Sequence, residues 1–224
     1  YAVSDCNNYG AVSGEEKVAG ITAVLYGDIT DTCNYGAISG SERVSGIVAL
    51  SYYGTIKECI NYGAVSGLGN RVAGVIAYGE SLNLDRCANY GAITAGVGGN
   101  TSANYAAGVA SFIKEADGAY ARDLYSVGSI TGMETVGAVV AYLDYDAVGG
   151  FKYIHGNSAI QDSYMSLGKY MYNYMYWGWD TEYSDKFSTG ELAWMLNTYE
   201  GTTPNRKVWS QGELYPVFAD SNLE

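Results

Sequence analysis

Apolar and small residues recur through most of the chain with a period of about 27 residues. A block of the form Cys-x-Asn-Tyr-Gly-x-Val-Ser-Gly is followed, about ten residues later, by a second block of the form Val-x-Gly-Ile. The central glycines of the first four copies are Gly10, Gly36, Gly63 and Gly91, at spacings of 26, 27 and 28 residues. A unit of this size cannot bury a core of its own, so we expect successive units to stack.

The first block recurs, with falling similarity, at residues 6–14, 33–40, 59–67, 87–95, 124–132 and 164–168. The second block recurs at residues 18–21, 44–47, 72–75, 106–109 and 136–139. Two blocks per period predict two strand-turn units per coil, and coils about 4.8 Å apart would pair every strand with its neighbour. The predicted fold is therefore all-β, a β-solenoid like a parallel β-helix, right-handed by the general preference for such connections.

Two columns of equivalent aliphatic side chains are predicted to form the core, because β-branched residues pack well against the same residue of the next strand. The columns are Val12, Ile38, Val65, Ile93 and Ile130, and Ile21, Ile47, Val75, Val109 and Val139. The glycines of the first block are predicted either to form a turn that a Cβ would strain or to let two backbones approach closely.

Residues 1–168 are assigned to the solenoid, as about five coils and one degenerate coil, and residues 169–224 to a C-terminal capping region. Within the cap, residues 188–191 have the pattern of a capping box and predict one short helix over 192–196. Insertions near 96–105 and 114–120 lengthen two periods, and such loops often gather on a binding face. Because the chain opens inside a repeat, we expect it to be a fragment of a larger protein.

Composition supports many short strands joined by tight turns, with 30 Gly and 23 Tyr against only 2 Pro and 16% charged residues. The formal net charge of −12 argues against nucleic acid or anionic lipid as a partner, since both require clustered cations. No run approaches the roughly 20 apolar residues of a membrane span, so we expect no direct membrane insertion of this fragment.

The cysteines are the most reactive repeated residues. Cys6, Cys33, Cys59 and Cys87 are expected at the same position of successive coils, in a row that does not converge as a zinc site must. Leu124 replaces cysteine in the fifth copy, which favours buried free thiols. Bridges between Cys6 and Cys33 and between Cys59 and Cys87 stay open as the alternative. Neither a metal site nor a cofactor is predicted.

Two polar columns accompany the cysteines. Their members are Asn8, Asn34, Asn61 and Asn89, and Tyr9, Tyr35, Tyr62 and Tyr90. Stacked amides that hydrogen-bond along the axis and stacked rings would stabilise a parallel stack. An exposed stripe for ligands is the alternative, but a residue needed once for chemistry has no reason to recur in every coil.

Candidates for catalysis are few. His155 is the only histidine, no nucleophile motif stands near it, and a loop position is expected for it. The pairs Asp28 with Asp31 and Asp144 with Asp146 match no calcium-loop signature and favour a solvated surface. No catalytic residue is therefore predicted.

An aromatic run begins the C-terminal region, where tyrosines alternate with other residues before two tryptophans. These candidate ligand-binding residues are Tyr170, Tyr172, Tyr174, Tyr176, Trp177 and Trp179. As one strand, the run would place the tyrosines on one face. That face would either stack on sugar rings or cover the open last coil, and the cap is favoured, although a cap can also bind.

The two blocks together resemble the GLUG-motif repeats of bacterial surface and adhesin-like proteins, over residues 1–143. The family motif Gly-Leu-any-Gly corresponds to residues 20–23, 46–49, 74–77 and 108–111, where the last glycine is replaced by alanine or serine. Residues 187–197, with Trp209 and 215–218, are similar to the segment that commonly follows such repeats. The resemblance implies an exported cell-surface protein and supplies no catalytic residue.

Together these features predict a non-enzymatic extracellular repeat domain for adhesion or surface display, with glycans or host surface proteins as partners. A purely structural stalk or spacer is the alternative. A carbohydrate-active enzyme on a solenoid scaffold is the third hypothesis, and it requires a groove lined by non-repeating Asp, Glu and Arg.

Overall fold

The computed structural model describes residues 2–96, 105–114, 119–132, 135–144, 151–156, 167–170, 177–179, 209–212 and 216–218. Over these residues the chain is all-β and has no helix. The strands form a β-solenoid of about five coils, in which each complete coil passes once through four parallel sheets, here named A to D. The hand of the coil stays a prediction.

Sheet A contains β1 (Ala2–Ser4), β2 (Asn7–Asn8), β6 (Asp28–Asn34), β10 (Gly54–Asn61), β14 (Leu82–Asp85), β15 (Ala88–Asn89), β19 (Ala121–Ser126), β23 (Phe151–Gly156) and β25 (Trp177–Trp179). Sheet B contains β3 (Val12–Ser13), β7 (Ile38–Gly40), β11 (Val65–Gly67), β16 (Ile93–Ala95) and β20 (Ile130–Thr131).

Sheet C contains β4 (Glu16–Ala19), β8 (Glu42–Ser45), β12 (Arg71–Ala73), β17 (Tyr105–Ala107) and β21 (Thr135–Gly137). Sheet D contains β5 (Thr22–Leu25), β9 (Val48–Ser51), β13 (Ile76–Glu80), β18 (Ala110–Lys114), β22 (Val140–Asp144) and β24 (Leu167–Tyr170). The first coil is β1–β5, the second β6–β9, the third β10–β13, the fourth β14–β18 and the fifth β19–β22.

Each predicted block supplies two short strands instead of one, because a glycine divides it at a corner. Gly36 separates sheet A from sheet B, and Gly46 separates sheet C from sheet D. A Cβ on Gly36 would collide with the carbonyl oxygen of Gly10, and one on Gly46 with the carbonyl oxygen of Gly74. Neither glycine has a left-handed φ. The requirement is close approach of neighbouring coils, the second of the two roles expected for the first-block glycines.

Equivalent residues of successive coils lie directly over one another. In sheet B the column Val12, Ile38, Val65, Ile93 and Ile130 is paired in register throughout. The last four side chains are each 1% exposed, and the column Ile47, Val75, Val109 and Val139 is fully buried. Val12 and Ile21, in the first coil, are partly buried against the same core. Both predicted core columns are confirmed.

In each coil one charged residue, within a strand of sheet A or between two of its strands, adopts a left-handed backbone conformation. The column is Asp5, Asp31, Glu58, Arg86 and Asp123, with φ between 50° and 55°. This conformation is uncommon for residues other than Gly, Asn and Asp, so tertiary structure must impose it at Glu58 and Arg86. The bend immediately precedes Cys6, Thr32, Cys59, Cys87 and Leu124.

The cysteines do not form the single row predicted for them. Cys33 is paired with Asn7 and Ile60, whereas Thr32 is paired with Cys59. The second coil reads Cys-Asn-Tyr where the others read Cys-x-Asn-Tyr, and the Asn and Tyr columns set the register. Thr32 therefore occupies the core position that the other coils fill with cysteine or Leu124. All four cysteines are free thiols.

Parallel pairing continues past residue 168, since β24 pairs with β22 and β25 pairs with β23. Two further strands, β26 (Trp209–Gln211) and β27 (Pro216–Phe218), pair with each other in antiparallel fashion. The domain boundary at 168 stays a prediction. The helix predicted over 192–196 and its capping box lie outside the described residues.

Candidate functional site

A column of stacked tyrosines runs along the corner between sheets A and B. The ring centroids of Tyr9, Tyr35, Tyr62 and Tyr90 are 4.9, 4.9 and 5.0 Å apart, with interplanar angles of 3°, 4° and 10°. Tyr125 meets the last ring edge-on, with its centroid 6.1 Å from that of Tyr90. The predicted tyrosine ladder is confirmed. Because each inner ring is covered on both faces, the column offers ring edges and hydroxyl groups to a ligand.

An asparagine column runs beneath the tyrosines, inside the same corner. Asn8 donates from Nδ2 to Oδ1 of Asn34 at 2.7 Å, and Asn34 donates to Asn61 and Asn61 to Asn89 at 2.8 Å each. Asn34, Asn61 and Asn89 are fully buried. Each Nδ2 also donates to the carbonyl two residues later, as from Asn61 to Gly63 at 2.7 Å. The structural ladder is thus confirmed, and these amides are not an exposed stripe.

A shallow groove of about 530 Å³ lies along sheet B. It is lined by Ser13, Gly14, Ser39, Gly40, Ser41, Ser66, Gly67, Leu68 and Thr94. Ser13 pairs with Ser39, Ser39 with Ser66 and Ser66 with Thr94, so the hydroxyl-bearing residues form one column along the axis. Leu68, which is 50% exposed, adds one apolar side chain to the groove.

The tyrosine and serine columns belong to one outer face. In the second coil Tyr35, Ala37 and Ser39 are all exposed, whereas Gly36 and Ile38 between them are buried. The third coil repeats this alternation at residues 62–66. We call this surface the tyrosine–serine face. An extended ligand along it would meet the same groups once per coil, about every 4.8 Å.

Carboxylates in sheet A are held in an ion-pair network that spans three coils. Arg86 contacts Glu58 at 3.1 Å and Asp85 at 3.0 Å, and Arg122 contacts Asp85 at 3.1 Å. Glu58 and Asp85 are 7% and 2% exposed. The hydrogen bonds that Arg122 donates to Asp85 raise the pKa of Arg122. Because loss of Arg86 or Arg122 would leave a buried carboxylate without its counterion, both arginines support the stack of coils.

The acidic pairs singled out in the sequence form no cluster among the described residues. Asp28 accepts a hydrogen bond from the Thr55 amide at 2.8 Å, and Asp31 belongs to the left-handed column. Asp144 lies in β22 beside Lys114, and Asp146 lies outside the described residues. Over the parts of the chain that the structure describes, no three His, Cys, Asp or Glu side chains are placed to hold a metal ion.

The histidine expected in a loop lies in a strand. His155 is in β23 and pairs with Tyr125 in sheet A. That expectation was wrong because parallel pairing continues beyond the last recognisable block, where the repeat is too degenerate to reveal a further strand.

The Cys59 thiol is not activated as a nucleophile. Cys59 and Cys87 are fully buried. Burial raises the pKa of the Cys59 thiol well above its ordinary value, and the neighbouring Cys87 adds to the increase. A thiol held in its protonated form is a poor nucleophile and metal ligand.

The aromatic residues predicted to bind ligand lie in two different sheets as far as they are described. Tyr170 ends β24 in sheet D, whereas Trp177 and Trp179 lie in β25 in sheet A. Tyr172, Tyr174 and Tyr176 lie outside the described residues. These six residues stay candidates from the sequence. The hydroxyl column was missed, although its signal is the Ser or Thr near the end of every first block.

None of the described residues forms a helix with the length and hydrophobicity of a membrane span. No family model, no curated protein and no solved structure matches this chain, so its resemblance to GLUG-motif repeats rests on its own residues.

Proposed function

We propose that this chain is a non-enzymatic repeat domain of an extracellular, cell-surface protein, and that it serves adhesion or surface display by binding glycans or host surface proteins. The observation that carries the proposal is the groove of the tyrosine–serine face, with one hydroxyl-bearing residue per coil from Ser13 to Thr94. The resemblance to surface-protein repeats supports the location.

A glycan is the ligand that best suits this groove. Its lining consists of hydroxyl groups, glycine backbone and Leu68, which together match the hydroxyl groups and apolar CH faces of a sugar chain. The inner rings Tyr35, Tyr62 and Tyr90 present edges, because neighbouring rings cover their faces. Recognition would therefore rest on repeated hydrogen bonds along an extended ligand, each worth about 1 kcal/mol.

The composition of the groove also supports binding over chemistry. Its lining residues carry no carboxylate and no arginine, and the buried acids Glu58 and Asp85 are paired with arginines elsewhere. A glycosidase requires two carboxyl groups across the scissile bond.

Binding can be tested on an array of neutral oligosaccharides and host matrix proteins with the whole chain. We expect wild-type protein to bind a subset, and Ser39→Ala/Ser66→Ala to bind that subset about tenfold or more weakly, because two groove hydrogen bonds are lost. The matched control Ser4→Ala/Thr55→Ala removes two hydroxyls from sheet A and should bind as wild type does. Equal binding by both double variants would contradict the role of the groove.

A structural stalk is the second candidate, and a specific observation favours it. The tyrosine and asparagine columns have their main partners in the adjacent coils, which is the behaviour of a stiff spacer. Absence of binding across the whole array, for a folded wild-type protein, would favour the stalk over adhesion.

A further inference from the structure

An arginine lies against a cluster of aromatic rings where sheets C and D meet. The Arg71 Cζ is 4.9 Å from the centroid of the Tyr78 ring and 4.6 Å from that of Phe112. Phe112 stacks on Tyr78 at 5.3 Å and on Tyr142 at 4.8 Å, and Tyr105 meets Phe112 edge-on at 5.5 Å. All five side chains are half-buried. We call the four rings the aromatic shelf.

Arg71 has no carboxylate partner among the described residues. Its Nε is buried without a hydrogen-bond partner, so an anion would have to be met by the terminal NH2 groups. Burial lowers the pKa of Arg71, and the positive charge of Arg43 lowers it further. The guanidinium nevertheless stays charged, since arginine is not deprotonated in proteins. A partly desolvated and unpaired cation is a favourable site for an anion.

The repeat differs at the position directly before Arg71. Equivalent positions precede the paired residues Val18, Val44 and Val72 of sheet C. The first coil places Glu16 and Lys17 there, the second Glu42 and Arg43, and the third Asn70 and Arg71. The acid of the first two coils is thus replaced by a neutral amide before Arg71. The negative charge of Glu42, in the preceding coil, still raises the pKa of Arg71. The Oδ1 of Asn70 is also buried without a hydrogen-bond partner.

We propose that Arg71 and the aromatic shelf bind the carboxylate of an acidic sugar, as a second site beside the groove. The proposal rests on the proposed function, because it presumes a glycan ligand and names its class. The guanidinium would pair with the carboxylate, and the exposed edges of the stacked rings would contact the apolar face of the sugar ring. Leu68 of the groove precedes Arg71 by three residues, so one chain of sugars would be close to both sites.

A single carboxylate suits this surface better than a densely charged polymer. The chain carries a net charge of −12, which repels polyanions at a distance. Glu16 lies 4.0 Å from Lys17, whereas Arg71 has no carboxylate partner among the described residues. The expected ligand is therefore a mostly neutral oligosaccharide that carries one hexuronate residue.

Calorimetric titration of the whole chain with a hexuronate-terminated oligosaccharide, and with the neutral oligosaccharide of the same linkage, tests the proposal. We expect wild type to bind the acidic probe about tenfold more tightly than the neutral one. Arg71→Gln should remove this preference, and Arg71→Lys should restore part of it, because lysine keeps the charge but not the planar fork. Lys57→Gln, a charge-matched control on sheet A, should leave it unchanged.

Thermal unfolding of each variant separates binding from folding. Arg71→Gln removes neither an ion pair nor a hydrogen bond with a described residue, so its Tm should stay within a few degrees of the wild-type value. A wild type without preference for the acidic probe would overturn the proposal, as would Arg71→Gln with the full preference. In either case, binding of the neutral probe that depends on Ser39 and Ser66 would leave the proposed function intact.

Discussion

Asn34 and Asn61 are joined along the solenoid axis by a hydrogen bond of 2.8 Å from the Nδ2 of Asn34 to the Oδ1 of Asn61. Each amide donates one proton to the next coil and the other to the carbonyl two residues later, as Asn34 does to Gly36 at 2.9 Å. Both side chains are fully buried, so their amide groups need partners within the protein. The hydrogen bonds along the column and to the nearby carbonyls supply those partners. The column therefore fixes the register of the coils as well as their spacing.

Replacement of Asn61 by alanine should lower the free energy of unfolding by about 2–4 kcal/mol, because it removes two donated bonds and leaves the buried Nδ2 of Asn34 without one acceptor. Asn8→Ala is the matched control in the first coil, where the side chain is less buried. It should cost about 1 kcal/mol. Urea unfolding followed by circular dichroism measures both, and equal costs would show that burial of the column is not what stabilises it.

The columns could be predicted because the sequence repeats the residue type at each position. Ile38, Val65 and Ile93 are interchangeable β-branched residues at one spacing, and their register and burial follow directly. The tyrosine ladder was predictable for the same reason. The four sheets were not, because the corner at Gly46 depends on close contact with Gly74 in the next coil.

Glycine at the A–B corner should be indispensable only where a coil lies beneath it. A Cβ on Gly63 would collide with the Gly36 carbonyl and come within 2.8 Å of Asn34 Nδ2, whereas a Cβ on Gly10 would meet only Asn8 Oδ1, at 3.8 Å. Gly63→Ala should therefore lose about 3 kcal/mol or more, and Gly10→Ala less than about 0.5 kcal/mol. Urea midpoints of the two variants provide the measurement, and similar losses in both would exclude backbone contact as the cause.

Features that depart from the repeat could not be predicted from the sequence pattern. The second coil lacks one residue between its cysteine and its tyrosine, so alignment on cysteine places Cys33 one position away from its true register. The site at Arg71 depends on Tyr78 and Phe112, whose positions in sheet D are occupied by Leu50 and Val24 in earlier coils. A cluster that occurs in only some coils leaves no periodic signal.

The thiols should fall into two classes of reactivity. Cys6 and Cys33 are partly exposed, whereas Cys59 and Cys87 are buried. In native protein an aromatic disulfide reagent should therefore label Cys6 and Cys33 rapidly and the other two only as fast as the solenoid opens. Mass spectrometry of peptides from partly labelled protein assigns each site. Labelling of Cys59 at the rate of Cys33 would refute the burial of that column.

Cys59 should also make stability depend on pH in the alkaline range. Its pKa is raised in the folded chain, chiefly by burial, so the folded state keeps a proton that the unfolded state releases above about pH 8.5. The contribution of the protonated Cys59 thiol to the free energy of unfolding is complete below that pH. It falls by about 1.4 kcal/mol per pH unit as the pH rises toward the pKa of Cys59 in the folded state. Cys59→Thr removes the ionisable group, and the slot accepts threonine because Thr32 already fills it in the second coil, donating to the Thr30 carbonyl at 2.9 Å.

The difference in unfolding free energy between wild type and Cys59→Thr isolates this effect, because the two proteins share every other ionisable group. At pH 7 the variant should be within about 1.5 kcal/mol of wild type. At pH 10 wild type should have lost about 2 kcal/mol relative to the variant, since the unfolded chain has then released the Cys59 proton and the folded chain has not. Urea unfolding at both pH values measures the shift, and a difference independent of pH would mean that the Cys59 thiol ionises as easily in the stack as in the unfolded chain.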